Sequence, residues 1–217
     1  CDEVWAVGKN PAAVLREYGY EGEVHVMPNG ATLRTVSPGD VAEVCRRWGL
    51  GDEPVILFVG QMDWKKNIST VLEACAIMLK EYGVRFRLLL AGQGPDSMAI
   101  ERKIRELGLE KVAQTVGHIS DTSLLDGLYS KASIFAFPSL YDAAPMVVRE
   151  AAVMGTPSVM VRGSTAAETI QDGINGLLCE NTPEDLARVM AGALRDQEAL
   201  KFMGEKAKET IPVVEKA

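Results

Sequence analysis

Short apolar runs alternate with helical patterns along most of this chain, and no other feature narrows its fold as much. Residues 4–7, 24–27, 55–59, 86–90, 115–116, 134–137, 158–161 and 176–178 read as strands. Between them, residues 67–82 carry Val71, Leu72, Cys75, Met78 and Leu79 at helical spacing, and further helices are expected over 95–107 and 124–131. Two helix starts are signalled by a hydroxyl, a proline and an acid in succession: Ser37-Pro38-Gly39-Asp40 and Thr182-Pro183-Glu184-Asp185. Strands alternating with helices specify an α/β fold, a Rossmann-like parallel sheet with helices on both faces. Ligands of such sheets bind outside the carboxyl ends of the strands. Residues 1–36 stand apart as a small strand–helix–strand unit that ends in the turn signal Pro28-Asn29-Gly30. A boundary is expected near residue 37, giving regions 1–36 and 37–217.

Composition removes several classes of function. A net charge of −7 with a pI of about 5.0 disfavours nucleic acid as the main partner. No apolar run approaches the roughly 18 residues that a membrane helix needs. Cys1, Cys45, Cys75 and Cys179 lie far apart with no paired spacing. They read as reduced thiols of a cytoplasmic protein. His25 and His118 are too few and too separated for a metal cluster. The first residue is Cys1 and not Met, so a longer parent polypeptide is expected.

The richest stretch for chemistry runs from Ser139 to Pro157. It follows the apolar strand at 134–137 and enters a helix near Pro145, where the missing N–H costs nothing. Asp142 lies in the loop and Glu150 about one and a half turns into the helix. Between them Ala143, Ala144, Met146 and Val147 offer backbone amides able to bind an anion. Amides and two spaced carboxylates suit a ligand with phosphates and several hydroxyls, such as a nucleotide-sugar. Glu150 sits among Val147, Ala151 and Met154, on a helix expected to be mostly buried, where a carboxylate needs partners. A ribose diol can supply two.

Other strand ends are weaker signals. The strand at 55–59 runs into Gly60-Gln61-Met62-Asp63-Trp64-Lys65-Lys66-Asn67, in which Gly60 allows a close ligand approach and Lys66 can neutralise a diphosphate. Gly92-Gln93-Gly94-Pro95 imitates a dinucleotide fingerprint, but its third glycine position is Ser97, which favours a tight structural turn. Gly117-His118-Ile119-Ser120 could hold a nucleobase through backbone groups and Ile119. No Asp-x-Asp pair, P-loop, Gly-x-Ser-x-Gly elbow or Cys-x-x-Cys is present, so no metal site and no cofactor are expected.

Together these motifs resemble the C-terminal half of the retaining GT-B glycosyltransferases of family GT4. Residues 1–30, from Cys1-Asp2-Glu3-Val4-Trp5-Ala6-Val7 through Val26-Met27-Pro28-Asn29-Gly30, look like the close of that family's N-terminal domain and its hinge. Gly60 to Asn67 looks like the loop that holds the donor diphosphate, with Lys66 on the family's lysine, Gln61 where most members carry arginine and Asn67 where many carry glycine. Asp142 to Glu150 resembles the family's Glu-x7-Glu motif, with a shorter first acid, and Glu168 with Asp172-Gly173-Ile174-Asn175-Gly176 resembles its Glu…Asp-Gly-x-Asn-Gly segment.

The resemblance implies a hexosyltransferase whose substrate is a nucleoside-diphosphate sugar. Glu150 would bind the ribose. Asp142, with the amides of Ala143 to Val147, would bind sugar hydroxyls near the reacting carbon. Lys66, helped by Gln61, would bind the diphosphate. Asp142 and Lys66 would then be the catalytic pair. The acceptor would bind a missing N-terminal domain, and any peripheral membrane association would come through that domain, so this chain alone would transfer little or nothing. A sugar-nucleotide epimerase of GT-B fold, a non-catalytic nucleotide-sugar module and a nicotinamide-binding domain are the competing readings.

Overall fold

The computed structural model describes residues 1–211. The α/β architecture is the expected one. Six parallel strands lie in the order β5-β4-β3-β6-β7-β8: β3 (Val55–Val59), β4 (Arg87–Ala91), β5 (Ala113–Gly117), β6 (Ile134–Ala136), β7 (Ser158–Val161) and β8 (Gly176–Cys179). The central strands are apolar on both faces because helices cover both. Val55, Ile56, Leu57 and Phe58 of β3 are fully buried, as are Leu88, Leu89 and Leu90 of β4. On the flanks, α2 (Pro38–Trp48), α5 (Thr122–Lys131) and α6 (Met146–Val153) pack in series. So do α3 (Ile68–Ile77), α4 (Ser97–Glu106) and α7 (Pro183–Leu194), and α8 (Gln197–Thr210) packs on α6 and α7.

This strand order has one switch point. Successive strands run from β3 outward to β5, and then the chain returns beside β3 to begin β6. The loops leaving β3 and β6 therefore diverge and leave a crevice between them, where open α/β sheets bind ligands. They are the loops that carry Lys66 and Asp142.

The helix starts act as their sequences indicate. Ser37 and Asp40 form a reciprocal capping box with Pro38 inside the first turn, and the Thr182 side chain accepts from the amide of Asp185. Some boundaries differ from expectation. Strand β5 is longer than residues 115–116, because Gln114 and Thr115 interrupt its apolar pattern while still pairing with β4. Helix α3 ends at Ile77 and continues as a wider π turn over Met78–Tyr82. Helix α8 was not anticipated. Its marks are an Asp196 cap on the Ala199 amide and buried Leu200, Met203 and Ala207 at helical spacing. The sequence offers no clear counterpart, after Ile211-Pro212, of the helix with which the resembled family crosses back to its N-terminal domain, and that stretch lies outside the described residues.

Residues 1–36 hold β1 (Glu3–Ala6), α1 (Lys9–Glu17) and β2 (Glu23–Val26), with the two strands parallel. Among these elements only Ala6 is buried, while Trp5, Tyr18 and Met27 are exposed. Polar contacts tie the unit to the larger one. The Glu168 carboxylate accepts from the amides of Lys9 (2.7 Å) and Asn10 (3.1 Å), capping a helix that has no cap of its own. In the linker, Arg34 forms a bidentate pair with buried Asp126, at 2.8 and 2.9 Å. Among the described residues no helix is long and apolar enough to cross a membrane.

Candidate functional site

The β3 loop is built on backbone contacts that turn its polar side chains outward. The Gly60 amide donates to Ala91 O (3.0 Å), and a Cβ at Gly60 would press on the Phe58 ring at 3.3 Å. Met62 is buried, and its amide donates to Gln93 O at 3.2 Å. Asp63 caps the short 3-10 turn Trp64–Lys66 through the Lys65 amide. Trp64 packs against the core, and its amide donates to Asp96 at 2.9 Å. Asn67 ends the turn with a left-handed φ of 61°, a conformation that asparagine tolerates better than most residues. Its side chain donates to Pro138 O (3.1 Å) and Asn181 Oδ1 (2.9 Å), pinning the β3 loop to the β6 loop.

On the β6 side, buried Ser139 donates its hydroxyl to one oxygen of Asp142. Lys66 Nζ lies 2.6 Å from the other oxygen. Each partner of this ion pair is only about a quarter exposed (25% and 23%), so solvent screens it less than a surface pair. The chain then turns through Ala144 at φ 49°, a strained setting for a residue with a Cβ. Asn29 of the small unit donates to the Ala144 carbonyl at 3.0 Å and holds that turn. Pro145 caps α6 without a side-chain acceptor, and the Val148 amide donates to the Pro145 carbonyl at 3.3 Å.

Gln61, Asp63, Lys65, Lys66, Ser139, Tyr141 and Asp142 line a cavity of about 500 Å³ between the two loops. Of the residues singled out from sequence, Gln61, Lys66 and Asp142 thus meet around one space. Gly60 supports its floor through the Ala91 contact. Ala143 and Met146 are exposed, and Val147 is half-buried against the core. Ala144 lines a different cleft, of about 280 Å³, beneath the small unit with Gly8, Arg149 and Glu168. Ile119 is half-buried and packs on the core, while His118 is exposed. Glu150 is half-buried on α6 and accepts a hydrogen bond from Tyr129 at 3.1 Å.

Sequence reasoning missed three groups around this site: Ser139 as a partner of Asp142, Asn29 as a partner of Ala144, and Tyr129 as a partner of Glu150. Ser139 and Asn29 stood inside recognised motifs, but their roles depend on contacts across the fold. Tyr129 stood in an apolar helix pattern that reads only as core. Elsewhere, Glu3, Glu23 and His25 bring ligand atoms within 4.8 Å of one another on the small unit. His25 lies 3.2 Å from the Glu3 carboxylate, and this hydrogen bond within the small unit accounts for the cluster.

A six-stranded parallel sheet with helices on both faces and a charged crevice at its switch point defines a Rossmann-like α/β protein. The chain belongs to the family described as glycosyl transferases group 1, which residues 43–210 match. It is 30% identical over 186 residues to the putative glycosyltransferase EpsF of Bacillus subtilis, covering 82% of this chain and 47% of that protein. It is 31% identical over 196 residues to the D-inositol 3-phosphate glycosyltransferase of Corynebacterium kroppenstedtii, covering 85% and 43%. The chain therefore spans about half the length of the curated relatives it matches. Among solved structures, sucrose-phosphate synthase from Thermosynechococcus elongatus superposes with a TM-score of 0.85 at 28% identity, over 97% of this chain and 53% of that one. Anabaena HepE, solved in complex with UDP and glucose, superposes with a TM-score of 0.83 at 20% identity, over 96% and 58%. The fold is that of GT-B glycosyltransferases.

Proposed function

We propose that this chain is the donor-binding half of a retaining glycosyltransferase that uses a nucleoside-diphosphate hexose. The observation that carries this reading is the cavity at the β3/β6 switch point, where Lys66 meets Asp142 on the loop that leads into α6. Lys66 and the first amides of α6 bind the diphosphate. Asp142 binds the sugar hydroxyls and Glu150 the ribose, and the base lies toward Ile119. Residues 37–217 are the donor domain, and residues 1–36 close an acceptor domain that precedes them. The small unit supports this, because a two-stranded parallel sheet with exposed Trp5 and Met27 is far from the covered state of parallel sheets. So does the span of about half of each relative.

The chemistry asked of these groups is stabilisation of a leaving group. When the bond from the anomeric carbon to the phosphate oxygen breaks, its electron pair stays on the diphosphate and positive charge spreads over the sugar ring. Lys66 and the α6 amides oppose the first charge, and Asp142 the second. Lys66 and Asp142 hold each other at 2.6 Å. A diphosphate competes for the ammonium, and its arrival frees a carboxylate oxygen for the sugar. No metal is required, since an ammonium and backbone amides carry the neutralisation.

Calorimetric titration of the chain with UDP, GDP, ADP and NAD, with and without EDTA, tests this reading. One nucleoside diphosphate should bind with EDTA making no difference, and NAD should not bind. Binding of NAD alone, or affinity that collapses on chelation and returns with magnesium, would overturn it.

A further inference from the structure

Tyr129 is among the largest fully buried side chains, yet its hydroxyl reaches the half-buried Glu150 carboxylate. Three contacts fix it. Its ring meets the Phe135 ring edge-on, with centroids 5.6 Å apart and planes at 71°. Its carbonyl accepts from the buried Thr156 hydroxyl at 2.6 Å. Its own hydroxyl donates to Glu150 Oε2 at 3.1 Å. Ring and backbone are both held, so the phenol has little freedom to point elsewhere. One turn earlier on α5, buried Asp126 is clamped by Arg34 of the linker, which fixes the helix itself.

A buried phenol needs a hydrogen-bond partner, and satisfying Tyr129 would alone explain a contact to some acceptor. The acceptor here is the one carboxylate on α6. Among the described residues the Glu150 carboxylate makes this hydrogen bond only, through Oε2, so Oε1 keeps its acceptor capacity. Burial first, and the Glu150 carboxylate second, push the Tyr129 phenol well above its ordinary pKa, so it remains a donor throughout the neutral range.

We propose that Tyr129 is a positioning residue: its phenol fixes one oxygen of Glu150 so that the other is presented to the ribose hydroxyls of a bound nucleoside diphosphate. This rests on the reading of Glu150 as the ribose-binding acid. A side chain with three rotatable bonds binds a diol best when its orientation is already set, because less freedom is then lost on binding.

The test compares UDP with its 2′,3′-dideoxy analogue by calorimetry on the whole chain, or GDP or ADP with theirs if that nucleotide binds the parent. The parent should prefer the ribonucleotide, and Glu150→Gln should erase most of that preference. Tyr129→Phe should weaken the ribonucleotide about five- to tenfold while leaving the dideoxy analogue nearly unchanged. A purely structural role would weaken both ligands alike. Glu150→Asp, which keeps the charge but withdraws it from the phenol, should also lose the preference, and it serves if Tyr129→Phe does not fold. If Glu150→Gln erases the preference while Tyr129→Phe and Glu150→Asp retain it, the positioning role is wrong and Glu150 still binds ribose. If Glu150→Gln retains the preference, the ribose reading fails and this inference with it.

Discussion

The loops leaving β3 and β4 come from adjacent parallel strands and both begin with glycine, but they do opposite things. Beyond β4, Gly92 has φ 140°, and a Cβ there would lie 1.8 Å from the Gly60 carbonyl oxygen. A Cβ at Gly94 would lie 2.4 Å from the Met62 carbonyl. This loop presses backbone against backbone. Gly92 donates to Gly117 O, Gln93 O accepts from Met62, and Asp96 donates back to Met62 O. Beyond β3, the buried Met62 takes those contacts while Gln61 and Lys65 stand exposed around the cavity. A glycine after a strand is thus no ligand signal by itself. The β4 glycines hold up the β3 loop, and the β3 loop presents the charge.

The comparison makes graded predictions. Gly92→Ala should be the most damaging, because backbone and not a flexible side chain occupies the space. A loss above about 4 kcal/mol is expected, enough to unfold a marginally stable domain, and thermal melting by circular dichroism reads it. A melting point within a few degrees of the parent's would mean that the β4 loop does not brace its neighbour. Glu150→Ala should leave the fold intact and weaken nucleoside diphosphate binding by about 1.5–3 kcal/mol, the usual worth of a charged hydrogen bond. Lys66→Ala should cost about 1.5–2 kcal/mol of affinity, nearer the lower end because Lys65 stands beside it. That loss should shrink from low to moderate salt.

Gln61→Arg should act in the other direction. A guanidinium can make two short bonds to phosphate where the amide makes a weaker neutral one, a gain of about 1 kcal/mol by titration. If Lys66→Ala binds as well as the parent and Gln61→Arg no better, this loop does not face phosphate. The smallest effect belongs to the first turn of α7. There the Glu180 amide and Arg188 hold the Asp185 carboxyl below its ordinary range. A folded-state pKa below the unfolded one contributes stability above the unfolded value that fades as pH falls through the folded one. Asp185→Asn should therefore lower the melting point slightly at neutral pH and have less effect in acid.

The sheet was legible because apolar runs and capped helix starts are local signals. Val55–Val59 and Ser37 to Asp40 announce themselves within a few residues. What escaped depends on contacts distant in sequence. Strand β5 is partly polar and holds by pairing with β4, and α8 lacks the proline that marks α2 and α7. In the site, Lys66 and Asp142 could be named from their motifs, but their 2.6 Å pair could not, since 76 positions separate them. The left-handed turn at Ala144 was hidden for another reason: alanine there gives no sign of a positive φ, and only the Asn29 contact shows what maintains it.

The central claim is that a nucleoside diphosphate sits between the β3 and β6 loops, and amide-resolved NMR of the chain titrated with UDP, GDP or ADP tests it most directly. The account predicts the largest shifts at Gln61 to Asn67 and at Ala143 to Val147, with smaller ones along α6 to Glu150. Shifts confined instead to the cleft lined by Arg162, Asp172, Arg188 and Asp196, with the two loops silent, would contradict it.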